Sequence, residues 1–518
     1  MLQLGRTTDS IAEYERVLRL DSSNAIAREA MLNLAKLAEI EGRIAIAETI
    51  YPAIASVRAD DIEPRVRLAL MMPVISDSRE QIDAVRLRIR DSMAQLTREG
   101  TRLDDPYRQI GKTNFYLAYH GQNDRELQQA IAKFHLDACP ELGRVAPHCL
   151  EPRSAPTRLR LGIICEYLDG HTIGKLYRGI VEALSRNRFE IVLMRAQREP
   201  DAATKQIDSL ADRVVEFSRS LKDARDIVAA ERCDIIFYPE IGMDEFTYFL
   251  AFARLAAVQC VSWEHPVTTG IPAIDYFISG QPLEADGAND HYSESLVRLA
   301  NSPLCCRRPA RPVEPLPRTS LGLPLDATLY LCPQSLFKFH PDFDDSLAAI
   351  LRNDRNAHLL LIRGRHAQWQ KLLEARFGRT MGDVANRIVF YPPFLDDDFF
   401  RLLITVDVML DPFHFGGGNS TYEALAMGTP IVTLPGEFMR GRVTSACFER
   451  IGISDLIARD AASYADIAIR VANDPARRAI LSEKILQRCA ILYDDREVVR
   501  ELEDFFIEAY AAKSSFRP

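Results

Sequence analysis

The 518-residue chain is short of several things, and each shortage removes a class of function. It has no excess of basic charge: 64 Lys and Arg stand against 73 Asp and Glu, a net charge of −9. No overall positive field is available to hold nucleic acid or an anionic membrane. No apolar run approaches the roughly 18–20 residues of a membrane span. The ten cysteines contain no CxxC pair and lie scattered in apolar segments, such as Cys165, Cys260, Cys332 and Cys447. That distribution predicts reduced, buried thiols rather than a disulfide framework. No histidine or cysteine cluster has metal-ligand spacing, so no metal site is expected. The opening "MLQLGRTTDSIAEYERVLRLD" mixes acidic with basic residues and reads as neither a secretory nor a transit peptide. The expectation is a cytoplasmic protein.

What is present changes character along the chain. The first ~150 residues read as helices, with a loose echo at helix–turn–helix length. Gly5, Ile11-Ala12, Tyr14 and Val17-Leu18 recur as Gly42, Ile46-Ala47, Tyr51 and Ile54. Tetratricopeptide-like repeats are one reading and an ordinary helical bundle the other. "ELGRVAPHCLEPRSAPTRLR", residues 141–160, has three prolines and no apolar period, and is taken as a linker.

Beyond it, apolar runs alternate with amphipathic stretches, the pattern of a parallel α/β sheet. "LRLGIICEYL", "FEIVLMRA", "VVEFS", "CDIIFYPE", "VQCVSWEH" and "YFISG" form one set. "ATLYLCPQ", "HLLLIRG", "RIVFYPP", "VDVMLDPF" and "PIVTLPG" form a second. Two doubly wound units in succession leave a cleft between them, and ligands bind at the carboxyl ends of such strands.

The most informative stretch is "DPFHFGGGNSTYEALAMGTPIVTLPG", residues 411–436. A strand, a glycine loop and a helix start make an anion site, because free N–H groups and the helix dipole both favour phosphate. Asn419 or Ser420 is the expected N-cap, and Gly428 ends the helix. Gly417, Gly418, Asn419, Ser420 and Thr421 are the candidate phosphate contacts. Glu423, one turn on, suits the two hydroxyls of an attached ribose. The stretch is neither a Walker loop, lacking GK[ST], nor GxGxxG. A tight turn with glycines needed only for packing is the plainer alternative.

"GGGNSTYEALAMGTPIVTLPGEFMRGRV" resembles the nucleotide-sugar site of the SPINDLY and O-linked N-acetylglucosamine transferase family, glycosyltransferase family 41, in its bacterial form. The resemblance continues through "LYLCPQSLFKFHPDF", "RIVFYPPFLDDDFFRLLITVDVMLDPF", "VQCVSWEHPVTTGIPAIDYFIS" and "LRLGIICEYLDGHTIGKL", covering roughly residues 105–510. It implies a GT-B fold, two Rossmann-like lobes preceded by an all-α tetratricopeptide region, and inverting, metal-free sugar transfer. The donor implied is a UDP-sugar bound as substrate, with no cofactor; the sugar expected is N-acetylglucosamine and the acceptor a protein held by the repeats. No nucleic-acid partner is expected.

By the same resemblance Lys338 contacts the donor diphosphate, Ser420 and its neighbours bind it, and Glu423 faces the ribose. Phe394 and Phe399 lie where the base stacks, and Arg442, taken as one turn into the next helix, reaches for a phosphate. In the first lobe His171, in "DGHTIGK", matches the family's active-site histidine, able to accept a hydroxyl proton or position the acceptor. His265 and Asp244 are further acceptor-side candidates, and His414 a support for the loop. Many members carry His-Thr-Thr near the glycines, where this chain has Gly418-Asn419-Ser420-Thr421.

The expected division is 1–104 helical repeats, 105–155 connector and linker, 156–320 acceptor-side lobe, 321–490 nucleotide-sugar lobe, and 491–518 a closing helix. Other nucleotide sugars (GDP-fucose, UDP-glucose), a glycan acceptor, an epimerase or phosphorylase, and a non-catalytic repeat scaffold are the competing readings.

Overall fold

A computed structural model describes residues 13–21, 23–58, 60–151 and 157–515. Of the first half of the repeat echo, Gly5 to Ala12 lie outside the described residues. The second half, Gly42 to Ile54, is the turn and second helix of a helical hairpin. Ala25–Glu41 is capped at its start by the Asn24 side chain and ends at Gly42, whose φ of 81° turns the chain into the helix Ile44–Val57. These helices and residues 13–20 enclose their own small core of Leu18, Met31, Leu32, Ala35, Ile50, Tyr51, Ile54 and Met71.

From Val66 onward the buried residues, Met71 excepted, belong instead to the core of the rest of the molecule. Val85, Ile89, Met93 and Leu96, on the helix Arg79–Arg98, are continuous with the strands of the lobes. A boundary at 104 therefore cuts through one packed unit; the physical division lies near residues 57–66. The helical region is also bonded to the second lobe. Trp369 Nε1 donates to the Ile40 carbonyl at 2.9 Å. Arg376, wholly buried, holds Asp344 with two bonds of 3.0 and 2.8 Å and donates a third to the Ser76 carbonyl at 2.6 Å.

The first lobe is a seven-stranded, all-parallel sheet: β1 (Leu159–Ile164), β2 (Phe189–Ala196), β3 (Arg213–Phe217), β4 (Ile235–Tyr238), β5 (Val258–Val261), β6 (Tyr276–Gly280) and β7 (Ser295–Leu299). Their order is β3-β2-β1-β4-β5-β6-β7. β7 is the strand the apolar-run pattern did not predict, and its burial explains why. It is an edge strand, mostly half-covered, with Arg298 and Ser295 interrupting the apolar residues. The second lobe has β8 (Thr328–Cys332), β9 (Ala357–Ile362), β10 (Ile388–Tyr391), β11 (Val408–Leu410) and β12 (Ile431–Val432), in the order β10-β9-β8-β11-β12, again all parallel.

In each lobe the chain starts mid-sheet, runs to one edge, then returns to the other side of the starting strand. That creates a switch point between β1 and β4, and another between β8 and β11. The loops leaving paired strands at a switch point diverge and open a crevice at the carboxyl edge. The last helix, Arg496–Ser515, crosses back to the first lobe, where Phe506 packs on Phe189 and Phe237 and Glu503 pairs with Arg188 at 2.9 Å. All ten cysteines are buried and none is in a disulfide. Among the described residues no helix is long and apolar enough to cross a membrane.

Candidate active site

The switch point of the second lobe brings the loop after β8 against the loop after β11. Asp411, at the end of β11 and 2% exposed, folds the glycine loop back on itself. Its Oδ1 accepts the Gly417 N–H at 2.6 Å and its Oδ2 the Thr433 hydroxyl at 2.8 Å. Burial pushes the Asp411 carboxyl up, while these bonds and Lys338 oppose that rise. The glycines are demanded by close approach, not by unusual φ. A Cβ at Gly416 would stand 2.8 Å from the Asp411 carboxylate, and one at Gly417 2.6 Å from Thr421 Oγ1 and 2.9 Å from Ser420 Oγ.

The helix Asn419–Met427 starts one residue earlier than the sequence suggested. Its N-cap is Gly418, and no side chain caps it; Asn419 and Ser420 lie inside the first turn. The N–H groups at that end thus lack the usual side-chain acceptor, the condition for an anion site. Thr421 is turned inward and fully buried, bonded to the Gly417 carbonyl at 3.0 Å and the Thr444 hydroxyl at 2.8 Å. It braces the loop and does not face a ligand.

Lys338 reaches this helix end from the β8 side. Its Nζ donates to Gln334 Oε1 at 2.9 Å and to the Gly416 carbonyl at 3.0 Å, and sits 4.5 Å from the centre of the Phe415 ring. Gln334 in turn donates to Ser420 Oγ at 2.6 Å, so Lys338, Gln334 and Ser420 form one chain across the crevice. Burial brings the Lys338 ammonium from 10.5 to about 8, with Asp411 holding it up. An ammonium with only neutral acceptors bound to it is a cation awaiting an anion. Gln334 was not foreseen; its position four residues before Lys338, on the same loop, is the signal that could have found it.

Glu423 borders a cavity of about 310 Å³ between the lobes, shared with Asn419, Tyr422, Asp396, Phe400 and, from the first lobe, Lys175. Burial raises the Glu423 carboxyl, and Asn419 and Lys175 partly offset that rise. Lys175 crosses the cleft to Asp396 at 2.9 Å. Of the three phenylalanines on the segment 394–400, the one that lines this cavity, together with Tyr422 and Tyr493, is Phe400. Phe394, beside Tyr391, and Phe399 are half-buried against the core, as Phe400 is, but do not line the cavity. Arg442 is the N-cap residue of the helix Val443–Arg450 rather than a residue one turn in. Its Nη1 donates to the Gly436 carbonyl at 3.0 Å and its Nε is buried without a partner.

Across the cleft, the first lobe presents the loops after β1, β4 and β5. His171 is exposed and caps the helix Thr172–Ala183, its Nδ1 accepting the Ile173 N–H at 3.3 Å. With that lone pair engaged, the neutral ring carries its proton on Nε2, so it meets a ligand as a donor. Burial also lowers its basicity. Asp244 is committed elsewhere: Oδ1 caps the helix Glu245–Leu250 through the Thr247 N–H at 2.8 Å, and Oδ2 takes both Arg219 nitrogens at 3.1 Å. His265 is 3% exposed, stacked on Phe115 at 5.4 Å, and held down to about 3 by burial. It stays neutral, a poor proton acceptor.

The carboxyl group that sequence reasoning missed is Glu240, at the end of β4. It is fully buried, its Oε2 accepts the Met243 N–H at 3.0 Å, its Oε1 has no partner, and burial pushes it up to about 8. Nothing in "CDIIFYPE" separates it from an ordinary solvated strand-end acid. Trp263 completes the approach of the lobes: a Cβ on Gly418 would stand 3.9 Å from its ring. Beneath, Phe115, Tyr119, Phe337 and Phe415 pack together and join the connector to both lobes.

Two further departures concern space and metal. A cavity of about 770 Å³ lies between the helical hairpin and the second lobe, lined by residues such as Gly42, Val74, Val85 and Leu372. It holds none of the groups above. Metal-ligand spacing, absent along the sequence, does appear in space, where His340, Asp342 and His414 meet.

Two parallel α/β lobes facing one another across a cleft make a GT-B type of fold. Residues 313–502 match the family model described as Glycosyl transferase family 41. A UDP-glucose:protein N-beta-glucosyltransferase of Actinobacillus pleuropneumoniae serotype 5b is 26% identical over 287 residues, 52% of this chain and 43% of that protein. A probable UDP-N-acetylglucosamine–peptide N-acetylglucosaminyltransferase SPINDLY of Solanum lycopersicum is 28% identical over 285 residues, 51% of this chain and 29% of that protein. The chain thus spans less than half the length of these curated relatives. A mutant O-GlcNAc transferase of Thermobaculum terrenum shares the fold over 99% of both chains, with a TM-score of 0.72 and 23% identity.

Proposed function

We propose that this protein transfers a sugar from a UDP-sugar to a protein side chain, with inversion and without a metal. The observation that carries the reading is the chain Lys338–Gln334–Ser420 laid across an uncapped helix start. As the bond from sugar to diphosphate breaks, negative charge grows on the leaving UDP. A positioned ammonium and helix N–H groups stabilise that charge without reorganising. Glu423, in the adjoining cavity, takes the ribose hydroxyls, and Phe400 offers an apolar wall there.

His171, as a donor at the mouth of the first lobe, positions acceptor or donor sugar rather than removing the acceptor's proton. The relatives act on glucose or on N-acetylglucosamine by name, and N-acetylglucosamine is the sugar proposed here. The test is a panel of UDP-N-acetylglucosamine, UDP-glucose and GDP-fucose, assayed for hydrolysis by EDTA-treated protein. Turnover of a UDP-sugar, undiminished by EDTA and fastest with UDP-N-acetylglucosamine, is expected. Preference for a GDP-sugar, or dependence on added magnesium or manganese, would overturn the proposal.

A further inference from the structure

Behind the Lys338 and glycine loops, three groups with no role above converge. His414 Nε2 lies 2.8 Å from Asp342 Oδ2, His340 Nδ1 lies 3.4 Å from Asp342 Oδ1, and the three ligand atoms are all within 4.8 Å of one another. We propose that His340, Asp342 and His414 bind one divalent transition-metal ion of the zinc type, in competition with Arg79.

The geometry is close to what such an ion needs. Ligand atoms at about 2.0–2.2 Å from a tetrahedral zinc are about 3.4 Å from each other; the His340–Asp342 contact has that spacing, and the His414–Asp342 contact, 2.8 Å to the other carboxylate oxygen, must open to reach it. Two imidazoles and one carboxylate favour zinc-like ions over magnesium or calcium, and leave a fourth position for water. The site is sheltered: the side chains are 5%, 14% and 29% exposed for His340, Asp342 and His414.

Its backbone is specialised too. His414 holds a left-handed φ of 67°, uncommon for a residue with a side chain. The neighbouring chain makes room for its ring with Gly121, where a Cβ would stand 2.8 Å from His414 Cγ. A histidine kept in a disfavoured conformation, with a glycine opposite, is placed for its imidazole.

A cation already occupies the carboxylate. The Arg79 guanidinium is bonded to Asp342, from a side chain that is 70% exposed and free to swing away. The Asp342 N–H bond to His340 Nδ1, a long 3.2 Å, must also yield for that nitrogen to ligate. Arg79 opens the helix Arg79–Arg98 of the N-terminal half, so ion and helix compete for one side chain. His340 follows Lys338 by two residues and His414 precedes Gly416 by two. An ion would therefore clamp together the two loops that form the crevice of the second lobe, whatever ligand that crevice takes.

The test uses the full chain, stripped with EDTA, desalted and titrated with Co²⁺. One Co²⁺ per chain should bind with the intense visible absorption of a four-coordinate site, and one equivalent of Zn²⁺ should displace it. His414→Asn, which tolerates the left-handed backbone, and His340→Gln should each abolish the absorption while circular dichroism is unchanged. Arg79→Ala should tighten binding several-fold. No stoichiometric binding, or binding unchanged in both histidine variants, would refute the site; an inert Arg79→Ala would refute the competition.

Discussion

Replacing Lys338 by methionine separates the catalytic from the structural account of that residue. The side chain is partly covered, its ammonium bonded only to Gln334 and the Gly416 carbonyl and lying over Phe415. The fall from 10.5 to about 8 means the folded state disfavours the charged form. At 1.36 kcal/mol per pH unit that is about 3 kcal/mol, and partial solvent screening makes it an upper bound. The sign is unambiguous: the folded value is below the unfolded one, so the charge costs stability below pH 8, and that cost fades as the pH rises from 8 towards 10.5. Methionine removes it and keeps the stem's packing. At pH 7 the melting temperature of Lys338→Met should match or exceed that of the wild type. Turnover should instead fall by ~10²–10³-fold, as for loss of a group that stabilises charge in the transition state. The assays are thermal unfolding by differential scanning fluorimetry and donor hydrolysis with UDP release. Near-normal turnover would remove Lys338 from the mechanism. A fall in turnover accompanied by a large loss of melting temperature would make it a structural residue.

The same titration predicts that donor kcat/KM declines above pH ~8, about tenfold per unit, and that Lys338→Arg moves that limb upward in a pH-rate profile. Gly417→Ala drives a methyl into Thr421 and Ser420, so UDP affinity measured by fluorescence competition should drop at least ~10-fold with circular dichroism unchanged; wild-type affinity would show that the loop has slack. Deleting residues 1–57 removes the hairpin with its separate core, and should leave UDP binding intact while abolishing transfer to a protein acceptor in a gel-based assay. Deleting residues 1–100 should instead yield insoluble protein, because Val85, Ile89 and Met93 belong to the core shared with the lobes.

The parts of the fold visible in the sequence were those with local causes. Buried parallel strands are continuous apolar runs, so all but β7 announced themselves, and the strand–glycine–helix step marked the crevice of the second lobe. Lys338 and Ser420 were singled out by resemblance, and the structure joins them through Gln334. What stayed hidden depends on partners distant in the chain. Asp244 looked free until Arg219 was seen to hold it, and Asp342 and His414 are 72 residues apart. Residues 66–98 have the same helical periodicity as the hairpin before them, and only packing reveals that they belong with the lobes. Phe394, Phe399 and Phe400 could not be told apart for a related reason: Phe394 precedes the helix Asp396–Thr405, and on the helix only its rotation decides that Phe400 rather than Phe399 lines the cavity.

If the crevice of the second lobe holds a nucleoside diphosphate by its phosphates, removing phosphates must weaken binding stepwise. Isothermal titration of the full chain with UDP, UMP and uridine at constant ionic strength tests it most directly. In the proposed reading Lys338 and the helix start address the diphosphate, and Glu423 only the ribose. Affinity should therefore fall by at least ~10-fold, or 1.4 kcal/mol, from UDP to UMP, and again to uridine. Equal affinities for the three, or no heat with any of them, would contradict the account.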